Sequence, residues 1–119
     1  MAFNPPQLLD RVRWVEKRRD GSDGVEWVPF GPERPCRVRV MRQRETDEAL
    51  QRRTEPTHRI LQWRQGGLSP GTHRCIVTEA AGREPYELEL IRFQVPKGDE
   101  RRLMLELDCR EPAPGNPVT

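Results

Sequence analysis

The sequence predicts an all-β fold: a small antiparallel β-barrel of about six to seven strands, with one long inserted loop and extended termini. Apolar and polar residues alternate over short segments, which is the period of a strand that is buried on one face. Turn signals rich in Gly and Pro separate these segments at intervals of roughly 8–15 residues, as is typical of barrels and sandwiches. Only residues 43–56 depart from this alternation.

Seven segments follow the alternating pattern along the chain. The first two, Asp10–Lys17 and Val25–Phe30, flank an Asp- and Gly-rich turn and are predicted to form a hairpin. The other five are Cys36–Arg42, Thr57–Arg64, Thr72–Thr78, Pro85–Phe93 and Arg102–Cys109. At 119 residues the chain has the length of one domain. We place that domain at residues 9–111, between an N-terminal extended arm (1–8) and a Pro-rich tail (112–119).

The inserted loop, residues 43–56, is rich in charged residues. Thr46 and Asp47 could cap a short helix, with Arg52 and Arg53 in its last turn, as the helix dipole favours. An acid–base site needs a carboxylate whose pKa is raised by desolvation, and this segment has almost no apolar residues to provide it. The segment is therefore predicted to be a projecting charged loop.

Composition argues against a general electrostatic attraction for nucleic acid, because the net charge is only +2. Charged residues make up 34% of the chain, above the usual quarter or so. Two explanations stay open: part of the chain is disordered, or much of its surface is shaped for polar contacts with other subunits.

The cysteines Cys36, Cys75 and Cys109 are odd in number and show no C-x-x-C spacing. Each lies in or beside an alternating apolar segment, so we expect free, buried thiols and a reducing, intracellular setting. The apolar runs are far shorter than the ~20 residues of a membrane-spanning helix, so no membrane partner is expected.

Few residues suggest catalysis. His58 and His73 are the only histidines, and their surroundings lack metal-ligand spacing. His73 and Cys75 share a strand face and could act as base and nucleophile, but no third group is placed to orient them. We therefore expect no enzyme activity, no metal and no cofactor.

Two sets of residues are candidates for contacts with other molecules. Arg37 and Arg39 share one face of the third strand, where arginines either guard an exposed strand or meet acidic groups of a neighbour. Trp63 and Arg64 end the fourth strand and complete the interface candidates. The three tryptophans, Trp14, Trp27 and Trp63, are either core and interface anchors or stacking platforms for single-stranded nucleic acid.

Several segments together resemble a known family. They are Thr57-His58-Arg59-Ile60, the loop containing Gly66, Gly67, Pro70 and Gly71, Gly82-Arg83-x-x-Tyr86-Glu87-Leu88, and the closing Leu103-x-Leu105-x-Leu107-x-Cys109-x-Glu111. The front hairpin fits as well, with Arg11–Lys17, Asp23-Gly24 and Glu26-Trp27. Over about residues 8–111 the chain resembles the head–tail joining proteins of tailed bacteriophages, the small head-closure or stopper proteins.

The resemblance implies a six- or twelve-fold ring of β-barrel subunits in the virion, at the head–tail interface, assembled in the bacterial cytoplasm. Portal or adaptor proteins would lie above the ring, tail terminator or tail tube proteins below it, and double-stranded DNA would pass through it. The inserted loop would point into the channel and help to retain DNA. Its channel residues would be Arg44, Glu45, Asp47, Glu48, Arg52 and Arg53.

The alternative function is that of a stand-alone oligonucleotide-binding barrel. That function predicts a contiguous basic face and exposed tryptophans. The ring predicts buried tryptophans and weak, non-specific DNA binding.

Overall fold

Seven antiparallel strands are present in the computed structural model, which describes residues 7–19, 24–41 and 56–112. They are β1 (Asp10–Arg19), β2 (Val25–Pro29), β3 (Arg34–Val40), β4 (His58–Trp63), β5 (His73–Thr78), β6 (Tyr86–Gln94) and β7 (Met104–Arg110). These described residues contain no helix, and so none that could cross a membrane. All seven predicted strands are confirmed, and every observed end lies within two residues of its predicted position.

The strands form a closed barrel of six, with β2 outside the ring. Around the ring the order is β1-β3-β4-β7-β6-β5, and β5 pairs back to β1. All seven strands thus belong to one continuous sheet that closes on itself. The all-β barrel expected from the alternating pattern is confirmed.

Strand β1 explains how one strand comes to lie outside the ring. One edge of β1 pairs with β3 over residues 10–12 and then with β2 over residues 15–19. Its other edge pairs with β5 over residues 11–16. Because β1 is longer than the barrel wall, its second half projects as a hairpin with β2.

The start of β3 differs from the prediction. The third strand was predicted to begin at Cys36, but Arg34 and Pro35 also belong to β3 and lie opposite Val12 and Arg11. Proline fits a strand where its missing N–H is not needed for the ladder. The pairing with β1 therefore extends through it.

The barrel interior holds the apolar face of every ring strand. Its fully buried members are Val12, Trp14, Cys36, Ile60, Cys75, Val77, Leu88, Leu107 and Cys109. All three cysteines are free and buried, as predicted. Leu103 lies within the predicted seventh strand, but it precedes β7 and is 45% exposed, whereas Leu105 and Leu107 are buried.

The two ends of the barrel differ in what they carry. We call one the short-loop end; it holds residues 30–33, 64–72 and 95–103. We call the other the terminal end; it holds the start of β1, the loop 79–85, the end of β7, and Met41 and Pro56 on either side of residues 42–55. The arm 1–8, the loop 43–56 and the tail 112–119 fall almost entirely outside the described residues, so those boundaries stay predictions.

Candidate interaction face on β3 and β4

The outer wall of the barrel formed by β3, β4 and β7 carries the predicted interface arginines. Strand pairing places their neighbours in two rows across the wall. One row is Arg39, Arg59 and Asp108, and the other is Arg37, Leu61 and Glu106. We call this wall the arginine face.

Arg37 and Arg39 are exposed and have no ion-pair partner within residues 7–19, 24–41 and 56–112. They border a shallow depression of about 260 Å³, which Arg59, Leu61 and Glu106 also line. Two free guanidinium groups beside a half-buried leucine offer both charge and apolar contact. Such a surface suits carboxylates or phosphates, since guanidinium groups bind both in a bidentate manner.

Asp108 anchors the Arg59 side chain of the arginine face. Its side chain is only 1% exposed although it points outward from β7. Arg59 Nε donates to its Oδ1 at 2.7 Å, and Arg92 Nε donates to its Oδ2 at 3.0 Å. A buried carboxylate is tolerated when it is paired and hydrogen-bonded in this way. These interactions fix Arg59, whereas Arg37 and Arg39 stay available to a partner.

Sequence reasoning missed the Arg59–Asp108–Arg92 cluster. Alternation along β7 does place Asp108 on the side opposite Leu107, which is the outer side. What alternation cannot give is the register that sets Asp108 beside Arg59 and Arg92. That register depends on how β4, β6 and β7 pair in the ring.

The other two interface candidates separate in the structure. Trp63 shares the outer side of β4 with Arg59 and Leu61 and is 43% exposed. Arg64 lies just beyond β4, where it lines a different depression at the short-loop end. The structure therefore brings together Arg37, Arg39 and Trp63, and places Arg64 apart from them.

The predicted channel residues lie outside the described part of the chain. They are Arg44, Glu45, Asp47, Glu48, Arg52 and Arg53. Their role stays a prediction.

The three tryptophans occupy three different environments. Trp14 is fully buried, and its indole Nε1 donates to Gln62 Oε1 at 2.7 Å. Trp27 is covered by the Arg74 guanidinium, whose carbon lies 4.5 Å from the ring centroid. Of the three, only Trp63 has a large share of its surface open to a stacking partner.

The suggested His73–Cys75 pair is part of the barrel interior. Cys75 has no exposed surface, and burial together with its contact to Cys109 raises the pKa of its thiol well above the ordinary value. The thiol therefore stays protonated near neutral pH and is a poor nucleophile. His73 is also buried, and its Nδ1 accepts a hydrogen bond from the Ser69 backbone N–H at 3.0 Å.

No group of three His, Cys, Asp or Glu side chains within the described ranges is arranged to hold a metal ion.

The chain was compared with protein families, curated proteins and solved structures. No family model matches it, and no curated protein matches it. A matching solved structure is the solution structure of a protein from Shigella flexneri 2a, which was a structural genomics target. It superposes with a TM-score of 0.56 and 26% sequence identity over 94% of this chain and 99% of the other. The two chains are thus similar over nearly their whole lengths.

Proposed function

We propose that this chain is a structural ring subunit that joins the head of a tailed bacteriophage, or of a phage-like particle, to its tail. In this proposal the ring connects portal or adaptor proteins to tail proteins and lines or gates the DNA channel. The arginine face is the observation that carries it. Exposed Arg37 and Arg39 lie beside half-buried Leu61, and arginine is enriched at the centres of protein interfaces.

The balanced charge of the chain supports the same proposal. Each phosphate that a protein cation neutralises adds salt-dependent affinity for DNA. A channel through which DNA must later slide therefore works better with a low net charge, and the net charge here is +2.

Strand β2 supplies a second surface suited to ring formation. It pairs with β1 along one edge, and its other edge has no partner strand among the described residues. An open strand edge can accept a segment of a neighbouring subunit. When such a contact is repeated by rotation, a heterologous interface closes into a ring.

The second candidate, an oligonucleotide-binding barrel, is favoured by one observation. Trp63 is 43% exposed on the same wall as Arg37 and Arg39. An aromatic ring beside cationic groups is the usual platform for stacking the bases of single-stranded nucleic acid. The same residues must therefore be tested for both functions.

Charge reversal on the arginine face separates the two candidates. The test variant is Arg37→Glu with Arg39→Glu, and the control is Arg13→Glu, an exposed arginine on the β1–β5 side of the barrel. Each variant replaces the native chain in the particle-producing cell, and particles are counted by electron microscopy. We expect the double variant to leave full heads and tails unjoined, and the control to join them normally.

The same variants are then titrated with a fluorescent single-stranded oligonucleotide at low and high salt. Tight, salt-sensitive binding that the double variant loses, together with normal particle joining, would replace the ring proposal by the oligonucleotide one. Joined particles and weak oligonucleotide binding in all variants would refute both.

The channel role of residues 43–56 requires a separate test. We expect Asp47→Ala with Glu48→Ala to leave the fold intact and to change DNA retention, which is measured as nuclease-sensitive DNA in purified particles. Retention equal to that of the native chain would remove the loop from the proposal.

A further inference from the structure

Exposed apolar side chains are concentrated at the short-loop end. Trp63, Phe93, Val95 and Leu103 are 43%, 45%, 39% and 45% exposed, and they lie where β4 and β6 end and β7 is about to begin. The Arg64 N–H donates to the Leu103 carbonyl at 2.9 Å, which joins two of these segments directly. Apolar side chains grouped in this way commonly mark an interaction site.

A depression of about 310 Å³ opens at the same end. Phe93, Val95, Leu68 and Leu105 supply its apolar lining, and Arg64 and Arg102 also line it. Its volume is enough to take one large side chain from another molecule. It is distinct from the arginine face, which lies on the side wall of the barrel.

The loops around this depression are held in position by internal contacts. The buried Asp99 carboxylate accepts hydrogen bonds from the Leu103 N–H at 3.1 Å and the Met104 N–H at 2.9 Å. Gly67 lies so close to Phe30 that an added Cβ would approach the ring to 2.9 Å. A surface that is already formed loses little conformational entropy on binding.

Arg102, which lines the depression, has an unusual backbone conformation. Its φ is +53°, and it is the one non-glycine residue with positive φ among the described residues. That conformation costs an ordinary residue about 1 kcal/mol or more, and such strain concentrates at functional positions. Arg64 and Arg102 are both exposed, and neither has an ion-pair partner within the described ranges.

We propose that the short-loop end docks another protein, which inserts one bulky apolar side chain into the depression and places carboxylates against Arg64 and Arg102. Charge identifies the partner: the exposed ionic groups of the short-loop end are Arg64, Lys97, Arg101 and Arg102 against Glu33 and Glu100. A second copy docked end to end would bring these like charges together. The apolar lining fits a side chain such as tryptophan or leucine better than a phosphate backbone. The proposal does not depend on the ring.

Peptide binding observed by NMR tests the proposal on the full chain. The probe is a short blocked peptide with one tryptophan between glutamates. Two matched peptides replace the glutamates by lysines or the tryptophan by alanine, and a fourth probe is oligothymidylate. We expect the acidic tryptophan peptide to shift the amides of residues 63–68, 93–95 and 101–105. We also expect it to bind at least about tenfold more tightly than the lysine peptide.

Three variants connect this binding to the named residues. Arg64→Glu with Arg102→Glu should reverse the preference in favour of the lysine peptide, and Phe93→Ser should remove binding of both peptides. Arg13→Glu is the control and should change neither. Arg102→Gly relieves the backbone strain, so it should weaken the acidic peptide while keeping or raising the melting temperature. It thereby separates loss of binding from loss of fold.

Three results would overturn the proposal. They are equal affinity for the acidic and lysine peptides, stronger shifts of the same amides by oligothymidylate, and self-association of the native chain that Phe93→Ser abolishes. The last would identify the depression as a contact between copies. None of these results bears on the arginine face, which is tested separately by Arg37→Glu with Arg39→Glu.

Discussion

Single residues connect the barrel interior to the short-loop end through a chain of hydrogen bonds. Trp14 Nε1 donates to Gln62 Oε1 at 2.7 Å, Gln62 Nε2 donates to Gln65 Oε1 at 3.1 Å, and Gln65 Nε2 donates to the Phe30 carbonyl at 3.3 Å. Trp14 and Gln62 are fully buried. A buried polar group is stable only when it is satisfied, so this chain fixes the position of the loop that follows β4.

Replacing Gln62 tests that chain. Gln62→Leu leaves the Trp14 indole N–H without its acceptor, which should lower the free energy of unfolding by about 1–3 kcal/mol in urea titrations. Trp14→Phe removes the donor, so adding Gln62→Leu to it should cost less than in the native chain. Strict additivity of the two changes would show that the hydrogen bond contributes nothing.

His58 makes stability depend on pH. Burial lowers the pKa of its imidazole from the ordinary value of 6.5. Below pH 6.5 the unfolded chain binds a proton that the folded chain resists, so stability should fall as pH decreases through that value. We expect His58→Gln to reduce the loss in melting temperature between pH 7.5 and pH 5.5. An unchanged loss would assign the effect to other groups.

At the scale of elements, a single carboxylate joins β1 to two neighbours. Asp10 Oδ2 accepts from the Val38 N–H of β3 at 3.0 Å, and its Oδ1 accepts from the Ala80 N–H at 2.8 Å. Regular pairing between β1 and β3 covers only residues 10–12 of β1. Asp10 therefore links β1 to β3 and to the loop after β5 at a point where the regular β1–β3 pairing has ended.

Asp10→Ala should open this junction. The loss of two charge-assisted hydrogen bonds should reduce the free energy of unfolding by about 2 kcal/mol, and Asp10→Asn, which keeps one acceptor oxygen, should reduce it less. Hydrogen exchange of the Val38 and Ala80 amides is the direct measurement. If those amides stayed as protected in Asp10→Ala as in the native chain, the role assigned to Asp10 would be wrong.

The alternation of apolar and polar residues predicted where the strands lie but not which strands pair with each other. The period of two located the six ring strands because each of them buries one face, as β1 does with Val12 and Trp14. It could not show that β2 lies outside the ring, since that depends on which edge of β1 remains available. Arg37 and Arg39 are exposed on one wall, whereas Trp63 and Arg64 lie at different surfaces because Arg64 falls just beyond the end of β4.

At the scale of the whole molecule, the closed barrel determines how its thiols react. Cys36, Cys75 and Cys109 have no exposed surface, and burial is the main cause that raises the pKa of Cys36 to about 12. Thiolate is the reactive form, so the folded chain should react slowly with a disulfide reagent at pH 8. We expect all three thiols to react together, at a rate that increases with urea as global unfolding does. Fast reaction of one thiol in native buffer would mean that the barrel opens locally.

The placement of the chain flanks determines how the molecule can be attached to anything else. Residues 7–9 and 111–112 both leave from the terminal end, as do the flanks of residues 42–55. A protein fused directly to residue 7 or to residue 112 would therefore lie at the terminal end and leave Phe93 and Leu103 uncovered at the short-loop end. Molecules attached to a support through such a fusion would all present the short-loop end to solution.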